Sequence, residues 1–183
     1  MALMETPFAN AQFKAPDFSL QGIDGKTYTL ADVRGEKGTL VMFICNHCPY
    51  VKGITDRLAS TMAELQQNGI GVVAIMSNDT QAYPADSFDN MKLFAKENGF
   101  TFPYVIDETQ QAAKAYGAVC TPDFFGFDAG LQLQYRGWLD SSGKNPTAPT
   151  TVPELKNAML EIAAGKPISA PQVPSMGCSI KWR

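Results

Sequence analysis

Two residues in this chain are placed to do chemistry together: Cys45 and Cys48, in the run Cys45-Asn46-His47-Cys48-Pro49. A C-x-x-C spacing lets the two sulfurs meet, so one thiol can attack and the other resolve. The nucleophile is the thiolate, and its formation depends on the surroundings of the sulfur. His47, the only histidine of the chain, directly precedes the second cysteine. A cationic imidazole there would lower a thiol pKa, stabilise the reduced form and make the disulfide more oxidising. The competing reading is a zinc half-site. One C-x-x-C and one histidine provide three ligands at most locally, whereas a structural zinc site usually adds a second close pair. Cys120 and Cys178 are single and far apart. Redox chemistry is therefore preferred, and no metal ligand set and no cofactor is assigned.

The elements around the motif support that choice. Gly38 to Ile44 is an uncharged apolar run of strand length. After the motif, Val51, Ile54, Leu58, Met62 and Leu65 recur at spacings of three and four, the pattern of a helix with one buried side. The thiols thus fall at a strand-to-helix junction, in or just before the first helical turn. Pro49 suits that turn, where an N–H has no intrahelical partner. The free N–H groups and the helix dipole favour an anion.

The rest of the chain reads in order. Residues 1–15 form an irregular arm. Pro16 to Leu20 and Thr27 to Leu30 alternate around Gly22-Ile23-Asp24-Gly25, which predicts a β-hairpin. Residues 31–37 connect to the 38–44 strand. Ile70 to Met76 is a second buried strand, so strand, helix and strand make a right-handed β-α-β unit with parallel strands. Asp86 is expected to cap a helix carrying Phe88, Met91, Phe94 and Ala95. A strand over 102–106 and a short helix from Asp107 through Tyr116 follow. Phe124 to Phe127 and Leu131 to Arg136 pair across the tight turn at Asp128-Ala129-Gly130. Val152 opens a last helix with Pro153 in its first turn, and Gly165 ends it. Residues 166–183 are a Pro-punctuated tail, in which Ile180 and Trp182 alternate with Ser179 and Lys181 as an edge strand would.

Composition narrows the partners. The chain has 183 residues, 45% hydrophobic and 18% charged, which suits one globular domain over 1–183 with a sizeable core. The net charge of -3, without a basic block, argues against nucleic acid or an anionic membrane as the main partner. No apolar run approaches the roughly 20 residues that span a bilayer. Met1 to Lys14 lacks the basic start and apolar core of a signal peptide. Four cysteines are too few to staple a scaffold of this size, so a cytoplasmic setting with transient disulfides is expected.

The order of elements, the C-x-x-C at the junction and Thr121-Pro122 before a hairpin resemble the thioredoxin superfamily. The N-terminal hairpin and long middle bring the chain nearer its peroxiredoxin-like branch, related to alkyl hydroperoxide reductase and thiol-specific antioxidant proteins (AhpC/TSA). Cys45-Asn46-His47-Cys48-Pro49-Tyr50-Val51-Lys52 and Gly177-Cys178-Ser179-Ile180-Lys181-Trp182 resemble a bacterial group within that branch. The resemblance covers residues 13–183. It implies an α/β, thioredoxin-like fold: a central mixed sheet flanked by helices, with the N-terminal β-hairpin. It implies that Cys45 is the exposed attacking thiol and Cys48 the buried resolving one. It makes Pro122 a cis-proline and gives Thr121 a backbone that faces a bound peptide. The implied activity is thiol-disulfide exchange with protein or small-molecule disulfides, driven by a separate reductant.

The chain departs from the peroxiredoxin pattern at two places. If Cys48-Pro49 aligns with the peroxidatic cysteine and its proline, Cys45 stands where those enzymes have threonine. No arginine lies within Cys120-Thr121-Pro122-Asp123, where one would hold the peroxide; Arg136 on the next strand and Arg57 on the first helix are the other candidates. Ile44 also replaces the tryptophan usual before a thioredoxin motif. The first two departures favour disulfide exchange over a thiol peroxidase that consumes peroxides; a third reading is a non-enzymatic carrier that binds copper through thiolates and histidine. Cys178 and Cys120 are possible additional redox thiols. Each has a competing reading as a small packed residue. A docked tail would bring Cys178 near the Cys45–Cys48 site as a second resolving thiol.

Overall fold

A computed structural model describes residues 2–183; Met1, the first residue of the predicted arm, lies outside them. The strands are β1 (Leu3–Glu5), β2 (Ser19–Gly22), β3 (Thr27–Thr29), β4 (Gly38–Phe43), β5 (Ile70–Met76), β6 (Tyr104–Ile106), β7 (Cys120–Thr121), β8 (Asp123–Asp128), β9 (Leu133–Gly137) and β10 (Met176–Ser179). The α-helices are α1 (Leu30–Val33), α2 (Pro49–Lys52), α3 (Thr55–Gln67), α4 (Phe88–Glu97), α5 (Gln111–Tyr116) and α6 (Glu154–Ala163), and a 3-10 turn spans Pro84–Asp86.

The main sheet has the order β3-β2-β6-β5-β4-β8-β9. β4, β5 and β6 run parallel, and the remaining pairs are antiparallel, so the sheet is mixed, as expected. All six residues of β4 are buried, which accounts for an apolar run without alternation. Leu40, Met42 and Ile44 face α3, α4 and α6, while Val41 and Phe43 face the aromatic cluster of Tyr116, Phe125 and Phe127. The thiols of the motif lie in the first of these two layers.

The structure corrects the sequence reading at several points. The predicted helix after the motif is two helices. α2 stops at Gly53, whose α-carbon is pressed against the Lys144 backbone, so that a Cβ would lie 2.3 Å from that carbonyl oxygen. A side chain cannot fit there, and α3 starts afresh after Ile54. Residues 31–37 are more than a connection, because Thr29 caps α1 and forms a capping box with Asp32. Ser87, not Asp86, caps α4, through a 3.3 Å bond from Asn90 N–H. The helix predicted from Asp107 begins at Gln111, and the last helix begins at Glu154.

The arm and the tail are the largest corrections. Residues 3–5 form a strand, and β10 is the central strand of a second sheet, β1-β10-β7, rather than an edge strand. Its strand pairing covers residues 176–179, and Trp182 is exposed, against the predicted alternation. Neither short strand has a strong local signal, since each is stabilised by a partner far away in sequence: Leu3 opposite Cys178, and Cys178 opposite Thr121.

Candidate redox site

The site is built where four segments meet: the end of β4, the start of α2, β7 and β10. Ile44 N–H still bonds the Ile75 carbonyl at 3.1 Å, so the sheet ladder carries the chain up to Cys45. The chain then turns, and Cys48 is the N-cap of α2, with Pro49 in the first turn. Thr121 touches both sulfurs. Its Oγ1 is 3.3 Å from Cys45 Sγ, and its carbonyl oxygen accepts from Cys48 S–H at 3.2 Å. The Thr121–Pro122 peptide is cis.

Both cysteines are buried, Cys45 at 1% exposure and Cys48 at 0%, so Cys45 is not the exposed thiol that the resemblance implies. The acidities also differ from that expectation. Cys48 is lowered to about 4, above all by a hydrogen bond from the Cys45 thiol; burial opposes this, and the Cys178 thiol, the Cys178 N–H and the Val51 N–H reinforce it. Cys45 is pushed well up by the same Cys45–Cys48 bond, by burial and by the Asp86 carboxylate. The Thr121 carbonyl works against a Cys48 thiolate, because it accepts only from the protonated sulfur. The several donors outweigh that one acceptor, and the thiolate belongs on Cys48, at the helix start. Position separates the two: Cys48 is the N-cap of α2 and receives these donors, whereas Cys45, just past β4, lies beside the Asp86 carboxylate.

His47 lies beside the thiols and is anchored from a distance. Its Nδ1–H donates to Asp86 Oδ2 at 2.7 Å, and its ring stacks on Tyr83 with centroids 5.4 Å apart. Its Nε2 is a buried atom with no hydrogen-bond partner among the described residues. Asp86 is fully buried and also accepts from Asn46 N–H and Asn78 Nδ2, each at 2.8 Å. Asn46 Oδ1 accepts from Tyr104 O–H at 3.0 Å. The loop between the cysteines is thus fastened to the Pro84–Asp86 turn and to β6. Sequence reasoning missed Asp86, Asn78 and Tyr104. Nothing local marks them as site residues: Asp86 and Tyr104 reach the loop from far along the sequence, and Asn78 acts through Asp86.

The remaining site candidates fall at varying distances from the sulfurs. Cys178 adjoins Cys48 through both its thiol and its N–H. Cys120 is buried with its thiol toward the Pro122 carbonyl at 3.6 Å, and burial and the Asp123 carboxylate raise it. The backbone of Thr121 is not open to a peptide, since β10 pairs along it. Pro122 lines a cavity of about 390 Å³ with Tyr50, Ile54, Trp138, Lys144 and Met176. Neither arginine is free to hold a peroxide. Arg57 bonds Asp140 and the Gly53 and Gly143 carbonyls. Arg136 bonds both oxygens of Asp123, at 3.2 and 2.9 Å, and the Gly117 carbonyl. Cys45, His47 and Asp86 each present a ligating atom within 4.8 Å of the others, a mixed sulfur, nitrogen and oxygen set that suits a borderline cation such as Zn²⁺.

Comparisons with known proteins bear on the family and the fold. Thiol-disulfide oxidoreductase ResA of Geobacillus thermodenitrificans is 30% identical over 114 residues, 62% of this chain and 61% of that protein. The chain therefore spans about three fifths of that relative's length. An uncharacterized conserved protein of Geobacillus kaustophilus has a crystal structure that matches with a TM-score of 0.92 and 44% identity, over 100% of this chain and 97% of that one. The thioredoxin domain of a thiol-disulfide oxidoreductase from Bacteroides vulgatus matches with a TM-score of 0.58 at 18% identity, over 69% of this chain and 87% of that one, which shows the thioredoxin-like fold. The profile of the AhpC/TSA family matches residues 11–136, including the C-x-x-C, Thr121 and Pro122, and stops before Cys178. The chain belongs to the AhpC/TSA family.

Proposed function

We propose that the protein is a thiol-disulfide oxidoreductase that reduces protein or small-molecule disulfides and is recharged by a separate dithiol reductant. The observation that carries this reading is the pair of free thiols Cys45 and Cys48, both in contact with Thr121, with the more acidic one, Cys48, at the N-terminus of α2. Cys48 Sγ attacks one sulfur of the substrate disulfide; the new bond is a Cys48 mixed disulfide, and the other substrate sulfur leaves as a thiolate. Cys45 then attacks Cys48 Sγ, its proton passing to the second departing thiolate, while the first takes a proton from water. The Cys45–Cys48 disulfide forms and the second substrate thiol is released. Two electrons pass from the pair to the substrate. Consuming the Cys48 thiolate removes the partner that does most to raise the Cys45 thiol, so Cys45 becomes more acidic when it must act. Both sulfurs are buried, so this exchange requires displacement of a covering element, and β10 packs on α2 and on Thr121.

Engagement of Arg57 and Arg136 speaks against the peroxidase alternative. The cluster of Cys45, His47 and Asp86 supports a second reading, a metal carrier, which the metal content of freshly purified protein separates from the first. A cytoplasmic location, where the thiols stay reduced, belongs to the main proposal. The test is insulin reduction measured beside hydrogen peroxide consumption on one reduced sample. Insulin turnover that disappears in Cys48→Ser, with slow peroxide consumption, is the expected result. Fast peroxide consumption that survives Cys45→Ser and vanishes in Cys48→Ser would make the protein a peroxidase.

A further inference from the structure

The two ends of the chain build a small sheet against the redox site, and the exchange described above gives its cysteine, Cys178, no bond-making step. β10 lies between β1 and β7. Cys178 is in register with Thr121, the residue that contacts the Cys45 and Cys48 sulfurs. The approach is close: a Cβ on Gly177 would lie 2.0 Å from the Thr121 carbonyl oxygen, so glycine alone lets the strand sit there. Ser175 fixes the strand from the other side, with its N–H on Thr6 Oγ1 at 2.9 Å and its Oγ–H on the Pro122 carbonyl at 2.9 Å. Cys178 is buried in the same apolar layer as Cys45 and Cys48, and its thiol and N–H both reach Cys48. Cys48 therefore has two thiols as neighbours, those of Cys45 and Cys178.

We infer that Cys178 is a second resolving thiol for Cys48, so that Cys48 can close a disulfide with either Cys45 or Cys178 within one chain. The inference rests on the thiol-disulfide exchange proposed above. Starting from a Cys48 mixed disulfide, Cys178 gives its proton to the departing substrate thiolate and attacks Cys48 Sγ. The Cys48–Cys178 bond forms, and the bond to the substrate sulfur breaks. Starting from the Cys45–Cys48 disulfide, the same attack releases Cys45 as a thiol; one disulfide replaces another, a proton passes from Cys178 to Cys45, and nothing is oxidised or reduced overall. Burial and the Cys48 thiolate hold the Cys178 thiol up at about 12, while Lys181 opposes them. Once Cys48 is in a disulfide, its contribution is gone and Cys178 is more readily deprotonated.

A tryptic digest separates the possibilities, because Cys45 and Cys48 share peptide 38–52 while Cys178 lies on peptide 157–181. The Cys45→Ser/Cys120→Ser chain is treated with one equivalent of diamide at low protein concentration, quenched in acid and alkylated. The expected result is loss of both remaining thiols, a monomer on a non-reducing gel, and peptide 38–52 linked to 157–181. Cys48 recovered only as a small-molecule adduct or an inter-chain dimer, with Cys178 alkylated, overturns the inference. If the double variant does not fold, the wild-type chain taken through the same titration decides: linked 38–52 and 157–181 support the inference, and their absence at every diamide ratio overturns it. Cys178→Ser tests the underlying reading separately. Failure to form Cys45–Cys48 in that variant defeats the dithiol mechanism, whereas its formation there, with no Cys48–Cys178 link in the other chains, defeats this inference alone.

Discussion

His47 Nδ1 and Asp86 Oδ2 lie 2.7 Å apart across 39 residues of sequence, and this bond ties the loop between the two cysteines to the Pro84–Asp86 turn. Asp86 has two effects. It accepts from His47, Asn46 and Asn78, and its charge raises the Cys45 thiol. Asp86→Asn should therefore lower the Cys45 pKa, since the charge that disfavours its thiolate is gone. It should also cost about 1–3 kcal/mol of stability through donors left without a charged acceptor. The pH dependence of Cys45 alkylation in a Cys48→Ser background, with urea unfolding of the same proteins, measures both. An alkylation profile that does not move toward lower pH would show that Asp86 acts only as a fastener.

The reduced protein should carry one thiolate at neutral pH, on Cys48. Thiolate absorbance near 240 nm should titrate at about 4 in the intact chain. Its midpoint should rise strongly in Cys45→Ala, which removes the largest stabilising hydrogen bond, and by less in Cys178→Ala. The linkage has a definite sign. The folded value lies below the ordinary thiol value of about 8.5, so between about 4 and about 8.5 the unfolded chain binds more protons and the reduced protein gains stability as pH rises. That gain is lost as pH falls through the folded value. Cys45 has the opposite sign and costs stability at pH above the ordinary thiol range. Denaturation of reduced protein at a series of pH values reads this slope, and a flat curve would place the proton on Cys48.

The reduction potential should follow the same protonation. With Cys48 ionised and Cys45 protonated, two electrons are accompanied by one proton, and the potential should fall by about 30 mV per pH unit near neutrality. About 60 mV per unit would mean that both sulfurs are protonated. A stabilised thiolate also favours the reduced form, so the potential should lie above the roughly −270 mV of thioredoxin. His47→Pro removes the imidazole and the anchor to Asp86 and should shift the potential downward. Glutathione titration gives all three quantities, and an unchanged potential in the variant would leave the start of α2 as the source of the thiolate.

Arg136 and Asp123 form a buried pair, with the guanidinium also lying over the Phe125 ring at 4.3 Å from its centroid. Arg136→Met should destabilise the fold by about 3–5 kcal/mol, because it leaves a buried carboxylate without its partner. Asp123→Asn in addition should recover part of that loss. The alkylation pattern of Cys45 and Cys48 should be unchanged in the double variant. A collapse of peroxide or disulfide turnover with full stability would instead give Arg136 a role in the chemistry.

Much of the fold was legible because its signals are local. The 38–44 and 70–76 runs are apolar throughout, since strands buried on both faces have no polar side to show. The hairpin and the helix positions Leu58, Met62 and Leu65 were legible for the same reason of periodicity. Gly53 was not, since a glycine within a helical spacing looks tolerable until the Lys144 backbone is seen against it.

The sequence by itself determined the C-x-x-C, its place after a strand and before a helix, and hence a dithiol chemistry. Only the tertiary structure decided how that chemistry is arranged. It makes Cys48 rather than Cys45 the helix cap, brings Asp86 under His47, and lays β10 along Thr121 with Cys178 against Cys48. None of these follows from neighbouring residues. A thiol's acidity depends on which donors and charges surround it in space, and here those groups come from the end of β4, α2, the Pro84–Asp86 turn, β7 and β10, which only the fold brings together.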